Sequence, residues 1–348
     1  MQIENCRRGY LHFSICILQF AMCILFLSGP EPIAMRLIVL GTGPFAVPTL
    51  EKLAASRHEI ALVITRPPTG RNATASPLQR AGESLNLNVW APATINVPES
   101  QSRIASLAPD LLVVCDYGEI LRPETLATAR LGGINLHGSL LPKYRGAAPV
   151  QWAILNGESE TGNSIIQMTP GLDAGPLLAQ QRMPIDPDED AEQLETRLAL
   201  MGAEAVLRVV DELESGTAKP IAQDKGLASK APRLKKEQGA IDWSRTAKEI
   251  KNQVRALRPW PRAFTFWHRS GADPVRVNID RAFVYDTVPT DASPTPGAIL
   301  EAADRLLIQT GENAIEILEL QPAGKRSMPA AEFLRGYRLA VGDVFGPA

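Results

Sequence analysis

From Met35 onward the chain alternates short unbroken apolar runs with stretches of helical spacing. Leu37 to Leu40 is uninterrupted and ends at Gly41, the pattern of a parallel strand buried on both faces. Phe45 to Ala55 puts Phe45, Leu50, Leu53 and Ala54 at helical spacing, and Ile60 to Ile64 reads as the next strand. Ser76-Pro77 opens a helix ending near Asn86, with Ser as N-cap and Pro at the first helical position. Val89-Trp90, Leu111 to Cys115 and Gly133 to Leu136 supply three further strands, with a helix from Pro98 to Leu107 among them. Strand and helix in alternation predict an α/β fold, a doubly wound and mostly parallel sheet.

Beyond the fifth strand the pattern predicts a helix from Ala148 to Asn156 and a strand from Ser164 to Met168. A turn-rich loop, Gly171-Leu-Asp-Ala-Gly-Pro176, follows, and then a long helix from about Ala191 to Ser215. At Lys219 the texture changes to many Lys and few large apolar residues, which reads as a linker up to residue 240. A short helix carrying Ile250, Val254 and Leu257 comes next. Short runs then follow at Thr265–Trp267, Val275–Ile279, Ala298–Leu300, Leu306–Gln309 and Ala314–Leu320. Short strands with Gly and Pro between them predict a small antiparallel barrel. The expected organisation is an α/β domain over 35–218, a basic linker over 219–240 and a barrel domain over 241–348.

Composition places the chain among globular proteins, with 45% hydrophobic and 21% charged residues. The formal net charge of −2 hides an uneven distribution. Lys230 to Arg276 holds twelve Lys or Arg against four Asp or Glu, so this segment is strongly basic on an otherwise acidic chain. Such a segment suits an acidic partner, nucleic acid above all. Three of the four cysteines lie before Met35, so the rest is no disulfide scaffold, and a reducing, cytoplasmic compartment fits. Residues 1–34 combine Arg7-Arg8 with an apolar stretch from Leu11 to Leu27, as a signal or marginal anchor would. Met35 begins a complete first strand, so we read 1–34 as an extension outside the fold and expect no stable membrane association.

Two constellations compete for the chemistry. Gly41-Thr-Gly43-Pro-Phe-Ala46 fits a dinucleotide-binding turn, and Arg66 at the end of the second strand could meet a 2′-phosphate; an NADP-dependent reductase therefore stays open. The same glycines also serve a plain tight turn. The stronger constellation is Asn135 and His137, at i and i+2 of a strand end and so on one face. Asp173 can join them from the Gly-rich loop. An amide and an imidazole aimed at one point can stabilise an oxyanion, and a carboxylate orients the imidazole. No Ser, Cys or Lys sits at a nucleophile elbow, so we expect direct attack by a substrate nucleophile on a bound acyl donor. The four histidines lack metal-ligand spacing, so no metal is expected. Arg255, Arg258 and Arg262, interleaved with Trp260 and Phe264, are candidates for nucleic-acid contact.

Asn135-x-His137-x-Ser139-Leu-Leu-Pro142-x-x-Arg145-Gly-Ala-Ala-Pro149, with Gly171-Leu-Asp173 downstream, resembles the 10-formyltetrahydrofolate-dependent formyltransferases. Ile241-Asp-Trp243, Arg258-Pro-Trp260-Pro261 and Leu320-Gln-Pro-Ala-Gly-Lys325 point to two-domain members acting on charged tRNA rather than single-domain purine-pathway ones. The resemblance implies an OB-like second domain, 10-formyltetrahydrofolate as donor, and the α-amine of initiator methionyl-tRNA as acceptor. By position it implies Asn135, His137 and Asp173 as the catalytic triad. Ser139, Leu140, Leu141 and Pro142, with Gly118 and Ile120, would bind the folate. Arg66, Arg71, Lys235, Arg255, Arg258 and Arg262 would contact tRNA. A related two-domain alternative formylates an amino-sugar nucleotide. The chain departs from the family pattern where Gly43-Pro44 replace Pro-Asp, where Asp116 and Glu119 replace apolar residues, and where the loop 66–76 is short and carries only Arg66 and Arg71.

Overall fold

Strand β1 (Arg36–Gly41) lies in the interior of the first sheet, and its run Leu37–Leu40 is apolar because both faces are covered. A computed structural model describes residues 34–68, 70, 74–269, 272–286, 295–337, 339–341 and 343–347. The residues read as an N-terminal extension, apart from Ala34, and Arg71 lie outside the described residues. Around β1 stand β2 (Glu59–Ile64), β3 (Val89–Trp90), β4 (Leu111–Cys115), β5 (Gly133–His137), β6 (Glu160–Gln167) and β7 (Leu177–Pro184), in the order β3-β2-β1-β4-β5-β6-β7. The first five are parallel, and β6 and β7 are antiparallel. Strand β6 is longer than the expected Ser164–Met168. Strand β7 was not expected at all, since its Gln180, Gln181 and Arg182 break any apolar run.

Helices α1 (Val47–Ala54), α2 (Pro77–Ser84), α3 (Pro98–Ser106), α4 (Pro123–Leu126) and α5 (Pro149–Leu155) connect the strands. Ser76 caps α2 by accepting from the Gln79 N–H, as the Ser-Pro pair predicts. The long α6 (Ala191–Glu214) starts on a capping box between Asp190 and Gln193. Gly202 of α6 lies against Leu136 of β5, so the even residue of that strand faces the helix layer. Asn135 and His137 therefore leave the opposite face.

The second half contains α7 (Ala247–Ala256), β8 (Ala263–Arg269), β9 (Ala272–Tyr285), β10 (Ile299–Ala302), β11 (Leu306–Gln309), β12 (Ala314–Pro322), β13 (Met328–Pro329), α8 (Ala330–Gly336) and β14 (Val344–Gly346). The sheet order β10-β11-β12-β9-β8-β14 is antiparallel throughout, and a bridge between Ala298 and Val344 joins its two ends. This is the expected small OB-like barrel, packed around Trp267, Phe333 and Phe345. Residues 219–240, read above as a linker, are packed as a strap. Ile221 pairs with Leu177, Lys230 pairs with Arg145, and Ala231 is fully buried in the core of the α/β half. Among the described residues no helix is long and apolar enough to cross a membrane.

Candidate active site

Asn135 and His137 end β5 beside β6, with Asn135 opposite Ile166 and His137 opposite Ser164. The hairpin from β6 to β7 brings Asp173 back over them. Gly175 permits this return, because a Cβ there would overlap the carbonyl of Gln167. Asp173 Oδ2 lies 3.7 Å from His137 Nδ1, and Asn135 Nδ2 lies 3.5 Å from Asp173 Oδ1. Gly146 donates its N–H to Asp173 Oδ2 at 2.8 Å. The three side chains singled out from sequence thus converge, and the imidazole is 6% exposed.

The other ring nitrogen settles the tautomer. His137 Nε2 is 2.9 Å from the carbonyl of Tyr144, and a carbonyl can only accept, so Nε2 carries a hydrogen. Nδ1 is left as the nitrogen available to chemistry, with the Asp173 carboxylate beside it to hold the ring when it is protonated. The distance of 3.7 Å is too long for a hydrogen bond, so the pair is not closed on itself.

Two residues against the ring have strained backbone. Asp173 and Tyr144, neither of them glycine, have φ of 46° and 63°. Such conformations cost about 1–3 kcal/mol each and persist where the surroundings enforce them. Neither Cys115 nor Ser139 is set up as a nucleophile. The buried Cys115 thiol is pushed up to about 12 by desolvation, and the fully buried Ser139 hydroxyl is given to the carbonyl of Lys143 at 2.7 Å. Among the described residues no group of three His, Cys, Asp or Glu could hold a metal.

The residues expected to bind folate divide in two. Ser139 and Leu141 are buried, and Ser164 pins their backbone by donating to the Ser139 carbonyl and accepting from the Leu141 N–H. Leu140 and Pro142 are partly exposed. Gly118 and Ile120 are open, with nothing within 4 Å of a Cβ on Gly118 and Ile120 65% exposed.

The charges near this end of the sheet give the departures from the family pattern a physical role. Glu119 is the hub of a network, bonded to Arg66 at 2.8 Å, to Asn96 at 2.8 Å and to Thr94. Arg66 is therefore committed to a carboxylate. Asp116, in a left-handed conformation at φ 48°, lies against Gly43; desolvation raises its pKa, partly offset by the Gly43 backbone and by Arg233. Glu195 of α6 is pushed up to about 7, by burial first and then by the charges of Asp116 and Glu192. A carboxylate sitting on the Gly41–Gly43 turn opposes a dinucleotide phosphate there, which removes the main support for the reductase reading.

The arginines expected to contact tRNA are also committed. Arg262 bonds Asp280, whose side chain is 6% exposed, and Gln321. Arg255 donates to the carbonyls of Asp186 and Glu189, and Arg258 pairs with Asp190 at 3.7 Å, so both fasten the barrel to the start of α6. Lys235 is exposed on the strap, as are Lys225, Lys230, Arg233 and Lys236. Sequence reasoning missed Glu195, Gln223, Ser229 and the Tyr144 carbonyl. None of them falls in an apolar period or a recognisable spacing.

Residues 35–210 match the formyl transferase family, and residues 233–338 match the formyl transferase C-terminal domain. A methionyl-tRNA formyltransferase of Rhodopirellula baltica is 45% identical over 89% of this chain and 96% of its own. Another, of Solibacter usitatus, is 41% identical over 90% and 99%. Among solved structures, the N-formyltransferase from Helicobacter canadensis, in complex with folinic acid and dTDP-3-aminofucose, is 18% identical. It superposes with a TM-score of 0.62 over 82% of this chain and 99% of its own. HypX from Aquifex aeolicus is 19% identical with a TM-score of 0.60, over 88% of this chain and 49% of its own. Those two likenesses speak for the fold alone. The matches to both halves and the closeness of the curated relatives lead to one conclusion: the chain belongs to the formyl transferase family.

Proposed function

We propose that this chain transfers the formyl group of 10-formyltetrahydrofolate to the α-amine of methionine on initiator tRNA. The observation that carries the reading is the convergence of Asn135, His137 and Asp173, with one imidazole nitrogen committed to Tyr144 and the other facing the carboxylate. The amine attacks the formyl carbon and an N–C bond forms. The carbonyl oxygen becomes an oxyanion, which Asn135 Nδ2–H and a protonated His137 Nδ1–H stabilise. The bond from that carbon to N10 of the folate then breaks. The amine loses one proton and N10 gains one, and His137 with Asp173 handles the transfer.

The donor would lie along Leu140–Pro142 and the open Gly118–Ile120 turn. The exposed cations of the strap, Lys225, Lys230, Arg233, Lys235 and Lys236, support a polyanionic acceptor better than the tied arginines do. The names of the relatives at 40–45% identity favour tRNA over an amino-sugar nucleotide. The test is an assay with 10-formyltetrahydrofolate and methionyl-initiator tRNA. Wild-type protein should yield formyl-methionyl-tRNA and His137→Ala should not; no product from wild type sinks the reading.

A further inference from the structure

Both partners of the His137 ring are themselves held by the strap. Gln223 donates through Nε2 to the carbonyls of Asp173 at 2.8 Å and Gly175 at 2.7 Å. Its Oε1 accepts from Arg145 Nη2 at 2.7 Å and Nε at 3.2 Å. Two carbonyls on one side and a guanidinium on the other permit only this orientation of the amide. Ser229 Oγ accepts the N–H of Tyr144 at 2.9 Å, while the Ser229 carbonyl accepts the N–H of Arg145 at 2.9 Å. The residues held, Asp173 and Tyr144, are the non-glycine residues at positive φ in direct contact with the imidazole. A conformation of that kind survives only where bonds from outside impose it.

We infer that Gln223 and Ser229 are positioning residues for the transfer reaction, fixing the Asp173 carboxylate and the Tyr144 carbonyl on the two nitrogens of His137. Neither touches the reacting atoms. The inference rests on the proposed function for its kinetic consequence but not for its structural one. The catalytic geometry is thus completed by residues beyond the long helix, on the segment that also presents the exposed cations.

Gln223→Glu is the sharpest variant, because it keeps the size and the Arg145 contact and removes the two N–H donations. Gln223→Glu should lower kcat for formylation at least tenfold while KM for the tRNA changes less than threefold. Gln223→Asn, which keeps the amide, should recover part of the rate. Independently of activity, hydrogen–deuterium exchange across 171–176 should quicken in Gln223→Glu and across 142–148 in Ser229→Ala. The Nε2–H signal of His137, assigned in long-range ¹⁵N spectra against His137→Gln, should give way to a tautomer mixture in Ser229→Ala. Unchanged exchange and an unchanged tautomer in folded variants overturn the inference even if wild type formylates no tRNA. Unchanged kcat in an active enzyme overturns it as well. Absence of wild-type product alone bears only on the proposed function.

Discussion

The carboxylate of Asp116 lies directly against Gly43, where a Cβ on residue 43 would collide with it. Two separate departures from the family pattern are therefore one feature. Any side chain at position 43, the proline ring included, lacks room while Asp116 is present. Gly43→Ala should cost about 1–2 kcal/mol in the wild-type background and close to nothing in Asp116→Ala. Denaturant unfolding of the two singles and the double measures this coupling; additive values would separate the two residues.

Within the proposed reaction, His137→Ala and Asp173→Asn should each reduce kcat by about 10² or more. The double variant should be little worse than either single, because the pair acts as one unit. Single-turnover formylation is the measurement, and fully multiplicative losses would break the pairing of the two groups.

Glu195 supplies a pH signature. An unfolded chain releases this proton near the ordinary value of 4.5, while the folded protein keeps it up to about 7. Between those values the folded state binds more protons, so the contribution of Glu195 to stability falls as pH rises and stays low above 7. Glu195→Gln removes the fall. Relative to wild type, the variant should gain on the order of 1–3 kcal/mol between pH 5 and pH 8. An equal gap at both values, from unfolding curves, would refute the assignment.

Arginines and lysines of the basic segment should separate in their effects. Arg262→Ala strands the buried Asp280 carboxylate and should destabilise the barrel by about 3 kcal/mol or more. Neutralising Lys230, Lys235 and Lys236 together should leave stability within about 0.5 kcal/mol. It should instead weaken tRNA binding and flatten the slope of log affinity against log salt by about two to three units. Thermal unfolding and binding across a salt series distinguish the two. Unaltered tRNA affinity in the lysine variant would remove the strap from the acceptor site.

The strands from Arg36 to His137 were legible because a strand covered on both faces must be apolar throughout. Strands β8 to β12 were legible in part from short apolar runs between turns, whereas β13 and β14 were not. Strand β7 was not, because Leu177–Pro184 is half-buried and its Gln180 serves the backbone, donating to the Leu141 carbonyl at 2.9 Å. The strap was illegible for a related reason. Its hold on the α/β half runs through main-chain pairing, Gln223 and Ser229, and only Ala231 and Leu234 among its apolar residues are buried. The convergence of Asn135, His137 and Asp173 could be expected from strand spacing and the Gly-rich loop, whereas the bonds that hold them could not. The partners of Arg255, Arg258 and Arg262 were not legible, because a cation in a sequence looks the same whether it faces solvent, a carbonyl or a carboxylate.

Closure of the barrel carries a cost in biosynthesis. Residues 266–268 of β8 pair on one side with β14, at 344–346, so that edge stays open while about 75 further residues are made. A chain not yet extended to Val344 lacks the partner for this edge beside Phe266 and Trp267, and an uncovered edge is the kind that recruits other chains. Strand β14 is thus the cover of the β8 edge, and a chain cut before Val344 would leave that edge open.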